Sequence, residues 1–314
     1  MNKESQINIT LCLPTYNRKT IIKTLIQSLI SEEANQVAKI LIIDDASQDG
    51  TFDSLKEFNS IENIRIIKNT NNLGYALNFL NCFHECETEF LIIGADDDIF
   101  FKKGIEEIVK EIDLRNPDYL STRFVSPTST RKVLQAREIS FDEIWDSAKH
   151  ATGLIYKKAA VLEYENDLIK LLKSKNLAAY FFPQIILLTL MKSSDKVLFF
   201  SPYEVAGIHP TGAEKTQLVD DEGMNYLSLS NVIQRHKDFI TFYEYLIKNN
   251  SYKKYCNEIA KLIKKQRLSL YENVEAGIAI EGGSLLSDFR RGLLDKVFGK
   301  VNPVKLISKF INKG

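Results

Sequence analysis

The sequence is poor in the features that define several protein classes. It has four cysteines in 314 residues, at 12, 82, 86 and 256, with neither CxxC spacing nor a paired framework. A disulfide scaffold is therefore excluded. Cys82 and Cys86 lie four apart around His84, but the histidine belongs to another helix face, and two thiols make a poor zinc site. They read as small buried hydrophobes of a reducing compartment. With 14 glycines, 7 prolines and 44% hydrophobic residues, neither a collagen-like repeat nor a disordered chain fits. No charge of one sign dominates: 41 Lys and Arg balance 41 Asp and Glu, so overall charge points to no nucleic-acid partner. Long apolar runs are missing too. The longest, residues 178–190, includes Pro183 and Gln184, short of the roughly 20 residues that cross a bilayer. The opening MNKESQINITLCLPTYN has no basic start leading into an apolar signal core. The expectation is a cytoplasmic protein, or one peripheral on the cytosolic face of a membrane.

What is present is an alternation of strands and helices over the first 125 residues. Ile7 to Leu13, Lys39 to Ile43, Ile64 to Ile67, Phe90 to Ile93 and Tyr119 to Phe124 are β-rich runs. Helical spacing of apolar residues fills the gaps, as in Ile21, Ile22, Leu25, Ile26, Leu29 and Ile30. Strands apolar on both faces and separated by helices predict an α/β fold with a mainly parallel sheet covered on both sides. Ligands of such sheets bind beyond the carboxyl ends of the strands. Three polar segments fall there: Pro14-Thr15-Tyr16-Asn17, Asp44-Asp45 and Asp96-Asp97-Asp98. They should converge on one site.

Neither GxxxxGK[ST] nor GxGxxG occurs, which argues against a P-loop ATPase or an ordinary dinucleotide fold. Three consecutive carboxylates repel one another unless a cation is shared among them. Hard divalent cations take such oxygen ligands together with phosphate. Alternation along an extended chain would put Asp96 and Asp98 on one side as the ligand pair. The plainer alternatives are an acidic turn at the start of the next helix and, for Asp44-Asp45, an Asx turn. Convergence at one sheet edge favours the site.

The segments ITLCLPTYNR, KILIIDDASQDGT, NNLGYALN and EFLIIGADDDIF, in this order, resemble an inverting-type glycosyltransferase of family 2 with the GT-A fold. Thr152 to Lys157 resembles the stretch that opens the acceptor half. The GADDD form and the later FFPQIILLTLM helix are most like bacterial polysaccharide transferases of the O-antigen and capsule type. The resemblance implies a GT-A domain over residues 1–216, with a nucleotide-sugar half (1–125) and an acceptor half (126–216). A helical region would follow over 217–314. It implies that Pro14, Thr15 and Tyr16 line the nucleobase and ribose pocket, with Arg18 approaching the diphosphate. Asp45 would accept a hydrogen bond from a pyrimidine imide. Asn72, Gly74 and Asn78 would shape the adjoining loop. Asp96 and Asp98 would hold Mn²⁺ or Mg²⁺, with Asp97 as the alternate and His209 as a later candidate. The implied reaction moves a sugar from a nucleotide-sugar donor to a hydroxyl of a glycan or lipid-linked glycan. A catalytically silent nucleotide-sugar-binding or scaffold member and a nucleotidyltransferase are the alternatives.

One departure bears on mechanism. Inverting members usually carry an acid at the start of the helix after the acceptor loop, where it serves as general base. Here that stretch is Ala178-Ala179-Tyr180-Phe181-Phe182-Pro183-Gln184, and Gln184 cannot take a proton. No catalytic base is assigned. The tail over 288–314 carries seven Lys or Arg against two Asp, with apolar stripes on either side of Pro303. A basic amphipathic helix of this kind suits an anionic membrane surface. Packing on its own domain or on a second copy of the chain is the other reading.

Overall fold

The computed structural model describes residues 8–126, 134–148, 150–208 and 229–248, with 255, 257–259 and 261–262 beyond them. In the first part of the chain strands and helices alternate: β1 (Ile9–Thr15), α1 (Lys19–Ser31), β2 (Lys39–Asp44), α2 (Thr51–Leu55), β3 (Ile64–Lys68), α3 (Tyr75–Glu85) and β4 (Phe90–Ile93). Then come β5 (Asp98–Phe100), α4 (Lys102–Arg115), β6 (Tyr119–Val125), β7 (Arg137–Glu138) and α5 (Ile144–Ala148). The remainder holds β8 (Leu154–Lys157), α6 (Lys158–Leu162), α7 (Glu165–Lys173), α8 (Leu177–Phe181), α9 (Pro183–Ser193), β9 (Leu198–Ile208) and α10 (Leu229–Lys248).

The strands form one sheet in the order β3-β2-β1-β4-β8-β6-β9-β5, with β7 paired to β9. The first four are mutually parallel, as their apolar runs predict. The chain builds outward from β1 through β2 to β3, then returns to place β4 on the other side of β1. Ligands of open α/β sheets bind at such a reversal, here beyond the carboxyl ends of β1 and β4. Beyond β4 the sheet is mixed: β8 runs antiparallel between β4 and β6, β6 pairs with β9 in parallel, and β5 joins β9 antiparallel. β9 is an eleven-residue strand, the longest in the sheet among the described residues. Its exposed and half-buried positions hide it from an apolar-run criterion.

Two compact units divide the chain. The first comprises residues 1–139, 146–169 and 190–215, and the second residues 140–145, 170–189 and 216–314. Each unit is thus assembled from several segments of the chain. The first holds the whole sheet. Its core on one face is aliphatic, with Leu11, Leu13, Ile22, Ile26, Ile40, Ile42, Ile92 and Ile105 all at or near zero exposure. Gly104 fits α4 against β9, since a Cβ there would lie 1.8 Å from the Glu204 carbonyl oxygen. Only a glycine permits that approach. The second unit packs by aromatic rings: Trp145 lies 5.3 Å from Phe182 and 5.7 Å from Phe239, ring centroid to centroid. The expected single helix around Ala178 to Leu190 is two, α8 and α9, because Pro183 has no N–H to continue the first.

Cys12, Cys82 and Cys86 are buried and free, and burial raises the Cys12 thiol well above its ordinary range. His84 pairs with Glu165 at 2.6 Å instead of joining them. The basic tail over 288–314 and His209 lie outside the described residues.

Candidate nucleotide-sugar site

The three polar segments at the carboxyl edge meet in the first unit. Thr15, the last residue of β1, pairs in register with Asp44 of β2. Its carbonyl accepts the Asp45 N–H at 2.9 Å, and its hydroxyl donates to Asp96 Oδ2 at 2.7 Å. One threonine therefore ties the Asp45 end of the site to the Asp96 end. The loop after β1 is laced to the loop after β2. The Asn17 N–H donates to Ser47 Oγ at 2.8 Å, and the Gln48 N–H donates back to Asn17 Oδ1 at 2.9 Å. Asn17 holds a φ of 52° there, a region asparagine tolerates better than most residues. The next N–H, of Arg18, donates to Thr51 Oγ1 at 3.2 Å. These contacts aim the Arg18 side chain back toward Asp96.

Arg18 Nη1 reaches Asp96 Oδ1 at 2.5 Å and Asp97 Oδ2 at 3.0 Å. Burial works against the guanidinium charge, but the two aspartates outweigh it and raise its pKa. Asp96 is buried, and that burial lifts its carboxyl above the usual range although Arg18 and Thr15 pull the other way. Asp96 and Asp97 form a turn rather than a strand. The alternation expected to place Asp96 and Asp98 on one side is therefore not the geometry present. Asp96 has both oxygens engaged, while Asp97 is the most accessible of the three at 29% of its side chain. Asp98 opens β5 and is 9% exposed. Burial pushes its pKa up to about 6 despite a hydrogen bond with Thr152, and the charges of Asp97 and Asp96 add to the rise. Among the described residues it has no basic partner within ion-pair distance.

At the other end, Asp45 is 3% exposed and held by neutral donors. Its Oδ1 accepts from Asn69 Nδ2 at 2.7 Å and from the Leu73 N–H at 2.9 Å, and its Oδ2 from the Gly74 N–H at 3.0 Å. Gly74 adopts a φ of 75°, which lets the loop turn its N–H groups toward the carboxylate before α3 begins. Asn72 Oδ1 also accepts from the Gly74 N–H, at 2.8 Å. Asn78 stands buried one turn into α3 and accepts from Asn69 Nδ2 at 3.0 Å. Tyr16, at 43% exposure, and Leu73 and Leu77 present apolar surface around this end. Asp44 is fully buried and accepts the Ser47 N–H at 3.1 Å, so the Asx-turn reading applies to it.

Sequence reasoning named Thr15, Arg18, Asp45, Gly74, Asn78 and Asp96, and the structure brings them together. It did not name Asn69 or Asn81, and it named Thr152 only as the start of the acceptor half. Asn69 and Asn81 follow no motif spacing, and only the fold places Asn69 against Asp45 and Asn81 against Asn69.

The family model of glycosyl transferase family 2 matches residues 10–166, half of the chain. The chain belongs to this family. Among curated proteins, the abequosyltransferase RfbV of Salmonella typhimurium is 32% identical over 118 residues, 37% of this chain and 35% of that protein. The uncharacterized glycosyltransferase MG060 of Mycoplasma genitalium is 30% identical over 104 residues, 32% of this chain and 35% of the relative. The chain thus aligns with about a third of the length of these relatives. Among solved structures, Staphylococcus aureus TarS 1–349 in complex with UDP-GlcNAc superposes with a TM-score of 0.61 at 14% identity, covering 96% of this chain and 90% of that one. The Pyrobaculum calidifontis mannosyltransferase PcManGT, in complex with GDP-Man and Mn²⁺, gives 0.56 at 15% identity, covering 97% and 84%. At such identities the likeness is one of fold: a GT-A-like, mostly parallel sheet with helices. No helix among the described residues is long and apolar enough to cross a membrane.

Proposed function

We propose that this family 2 member transfers a sugar from a pyrimidine nucleotide-sugar donor to a hydroxyl of a glycan or lipid-linked glycan. The carrying observation is the convergence of Thr15, Arg18, Asp45 and Asp96 at the carboxyl ends of β1, β2 and β4, linked through Thr15. Asp45 and the loop over 69–74 suit a base edge, with Tyr16 available to stack on it. Pro14 and Thr15 line the adjoining ribose position. Arg18 stands at the diphosphate position and keeps Asp96 and Asp97 from repelling one another.

The aspartates fit a hard divalent cation by chemistry: all donors are oxygens, and Asp98 is a buried carboxyl without a cationic partner among the described residues. Among those residues no group of three or more His, Cys, Asp or Glu is arranged so that it could hold a metal ion by itself. Asp96 and Asp98, or the more accessible Asp97, would hold Mn²⁺ or Mg²⁺, with His209 a further candidate in sequence, directly after Ile208, which pairs with Asp98. Such an ion supplies Lewis-acid stabilisation to a leaving diphosphate. The acceptor hydroxyl attacks the anomeric carbon as the bond from that carbon to the diphosphate oxygen breaks. α8 and the first turn of α9 contain no acid, so the proton of the acceptor is not assigned to them.

Thermal-shift measurement with nucleoside diphosphates and sugar nucleotides, each with Mn²⁺ and with EDTA, tests the reading, because a ligand of the folded state raises apparent stability. A Mn²⁺-enhanced shift with a pyrimidine diphosphate, and slow release of that diphosphate from its sugar nucleotide, are expected. No shift with any nucleotide would remove the transferase reading. Binding without turnover would leave a silent family member.

A further inference from the structure

We infer that Asn69 is a positioning residue which, with the Leu73 and Gly74 N–H groups, leaves Asp45 a single acceptor position and thereby selects against guanosine diphosphates. The inference rests on the proposed nucleotide site and goes beyond it in naming what sets base selectivity. Solved structures of this fold hold UDP-GlcNAc in one case and GDP-Man in the other, so the fold alone leaves the base open. The hydrogen-bond count at Asp45 does not.

A carboxylate offers about four acceptor positions, two on each oxygen. Oδ1 receives Asn69 Nδ2 and the Leu73 N–H, so both of its positions are filled. Oδ2 receives only the Gly74 N–H and keeps one position. Asn69 is itself fixed from three sides. Its amine gives one hydrogen to Asp45 and the other to Asn78 Oδ1, and its carbonyl accepts Asn81 Nδ2 at 2.9 Å. A carboxylate cannot donate, so this amide can face Asp45 only through its nitrogen. The amide has no spare hydrogen to release Oδ1 by turning elsewhere.

Guanine presents two adjacent donors, a ring N–H and an exocyclic amine, which a carboxylate satisfies through both oxygens. Here the second donor would face a filled Oδ1 and lose its hydrogen bond on leaving water. Uracil and thymine present a single imide N–H, which the open position on Oδ2 takes. Leaving a donor unmet costs enough to give about tenfold or more in affinity.

Calorimetric titration of the whole protein with UDP and with GDP, in Mn²⁺, tests this. The wild type should bind UDP about tenfold or more tightly than GDP. Asn69→Ala opens a position on Oδ1 and should shrink that ratio several-fold, with GDP losing less affinity than UDP or gaining. Asn81→Ala removes only the bond that orients the amide, so it should shift the ratio in the same direction by less. It also serves if Asn69→Ala does not fold. A role confined to fold integrity would lower both affinities equally and leave the ratio unchanged in both variants, which overturns the inference. Equal binding of UDP and GDP by the wild type, or a preference for GDP, overturns it while leaving a nucleotide site in place. If neither nucleotide binds, the proposed function itself fails.

Discussion

Two groups of carboxylates stand at the carboxyl edge of one sheet, joined through Thr15, and they are stabilised by different means. Asp45 is held by an amide and two backbone N–H groups, all neutral. Asp96 and Asp97 are held by the Arg18 guanidinium, and Asp98 by a hydroxyl alone. Neutral donors with fixed directions position a carboxylate for recognition, because they constrain which of its acceptor positions stay open. An ion pair compensates charge but fixes direction less, and it can be exchanged for another cation or approached by a phosphate. The base end is therefore built for geometry and the aspartate end for charge. The difference predicts which substitutions each end tolerates.

The largest effect should come from Arg18→Ala. It leaves two crowded aspartates without their cation, and breaking a buried pair on one side is strongly destabilising. A loss of about 3 kcal/mol in urea unfolding is expected, together with loss of nucleoside diphosphate affinity. Arg18→Lys should restore part of the stability, because a point charge suffices there. A loss below about 1 kcal/mol for Arg18→Ala would mean that Asp96 and Asp97 do not depend on charge compensation, and the contrast would collapse.

Asp45→Ala should rank next. It strands the Asn69 amine and the Leu73 and Gly74 N–H groups, several of which water can reach, so about 2 kcal/mol of stability is expected to go. Nucleotide affinity should fall by a similar free energy, about 30-fold, in Mn²⁺ and in EDTA alike. A loss seen only with Mn²⁺ would move Asp45 into the charged end.

Asp98→Asn probes the member of the aspartate triplet that has no basic partner among the described residues. Its folded pKa of about 6 lies above the unfolded value near 3.9, so folding favours the protonated form. That benefit is complete below about pH 4 and is lost as pH rises through about 6, leaving a charged, buried carboxylate at pH 8. The amide carries no charge at any pH. Asp98→Asn should therefore be more stable than wild type by about 2 kcal/mol at pH 8, with the two converging below pH 4. Melting temperatures across that range, without metal, decide it, and a pH-independent difference would count against burial as the cause. The same substitution should weaken the response of nucleotide binding to Mn²⁺.

Much of this contrast is legible in the linear sequence, but unevenly. The four parallel strands are continuous apolar runs that stop at polar residues. The rule that ligands bind beyond strand carboxyl ends then brings Thr15, Asp45 and Asp96 together without coordinates. What escapes is what depends on register. Arg18 and Asp96 lie 78 residues apart, and no spacing rule pairs them. Asn69 and Asn81 look like ordinary surface amides until the fold sets Asn69 against Asp45 and Asn81 against Asn69. The mixed half of the sheet escapes too, because β8 is a short antiparallel insertion and β9 interrupts its buried positions irregularly with half-buried and exposed ones. Asp96-Asp98 shows the opposite failure. The acidic run stands out in the sequence, but in place of the extended geometry expected for it there is a turn, and the turn changes which carboxylate solvent can reach.

Thr15→Val should have the smallest effect and separates the two ends most cleanly. Thr15 serves the Asp45 end through its backbone carbonyl and the Asp96 end through its hydroxyl, at 2.9 and 2.7 Å. Valine has the same branching, keeps the carbonyl and removes only the hydroxyl, so the lost contact belongs wholly to Asp96. One buried bond to a carboxylate stabilises by about 1–2 kcal/mol, and that loss is expected in urea unfolding. The Asp96 carboxyl should also be lifted further, since the hydroxyl is one of the groups that hold it down. If geometry and charge are separate properties of the two ends, the ratio of UDP to GDP affinity stays as in the wild type while the Mn²⁺ response changes. If the ratio moves as well, the hydroxyl at Asp96 is felt at Asp45 through β1, and the site works as one network rather than as two ends.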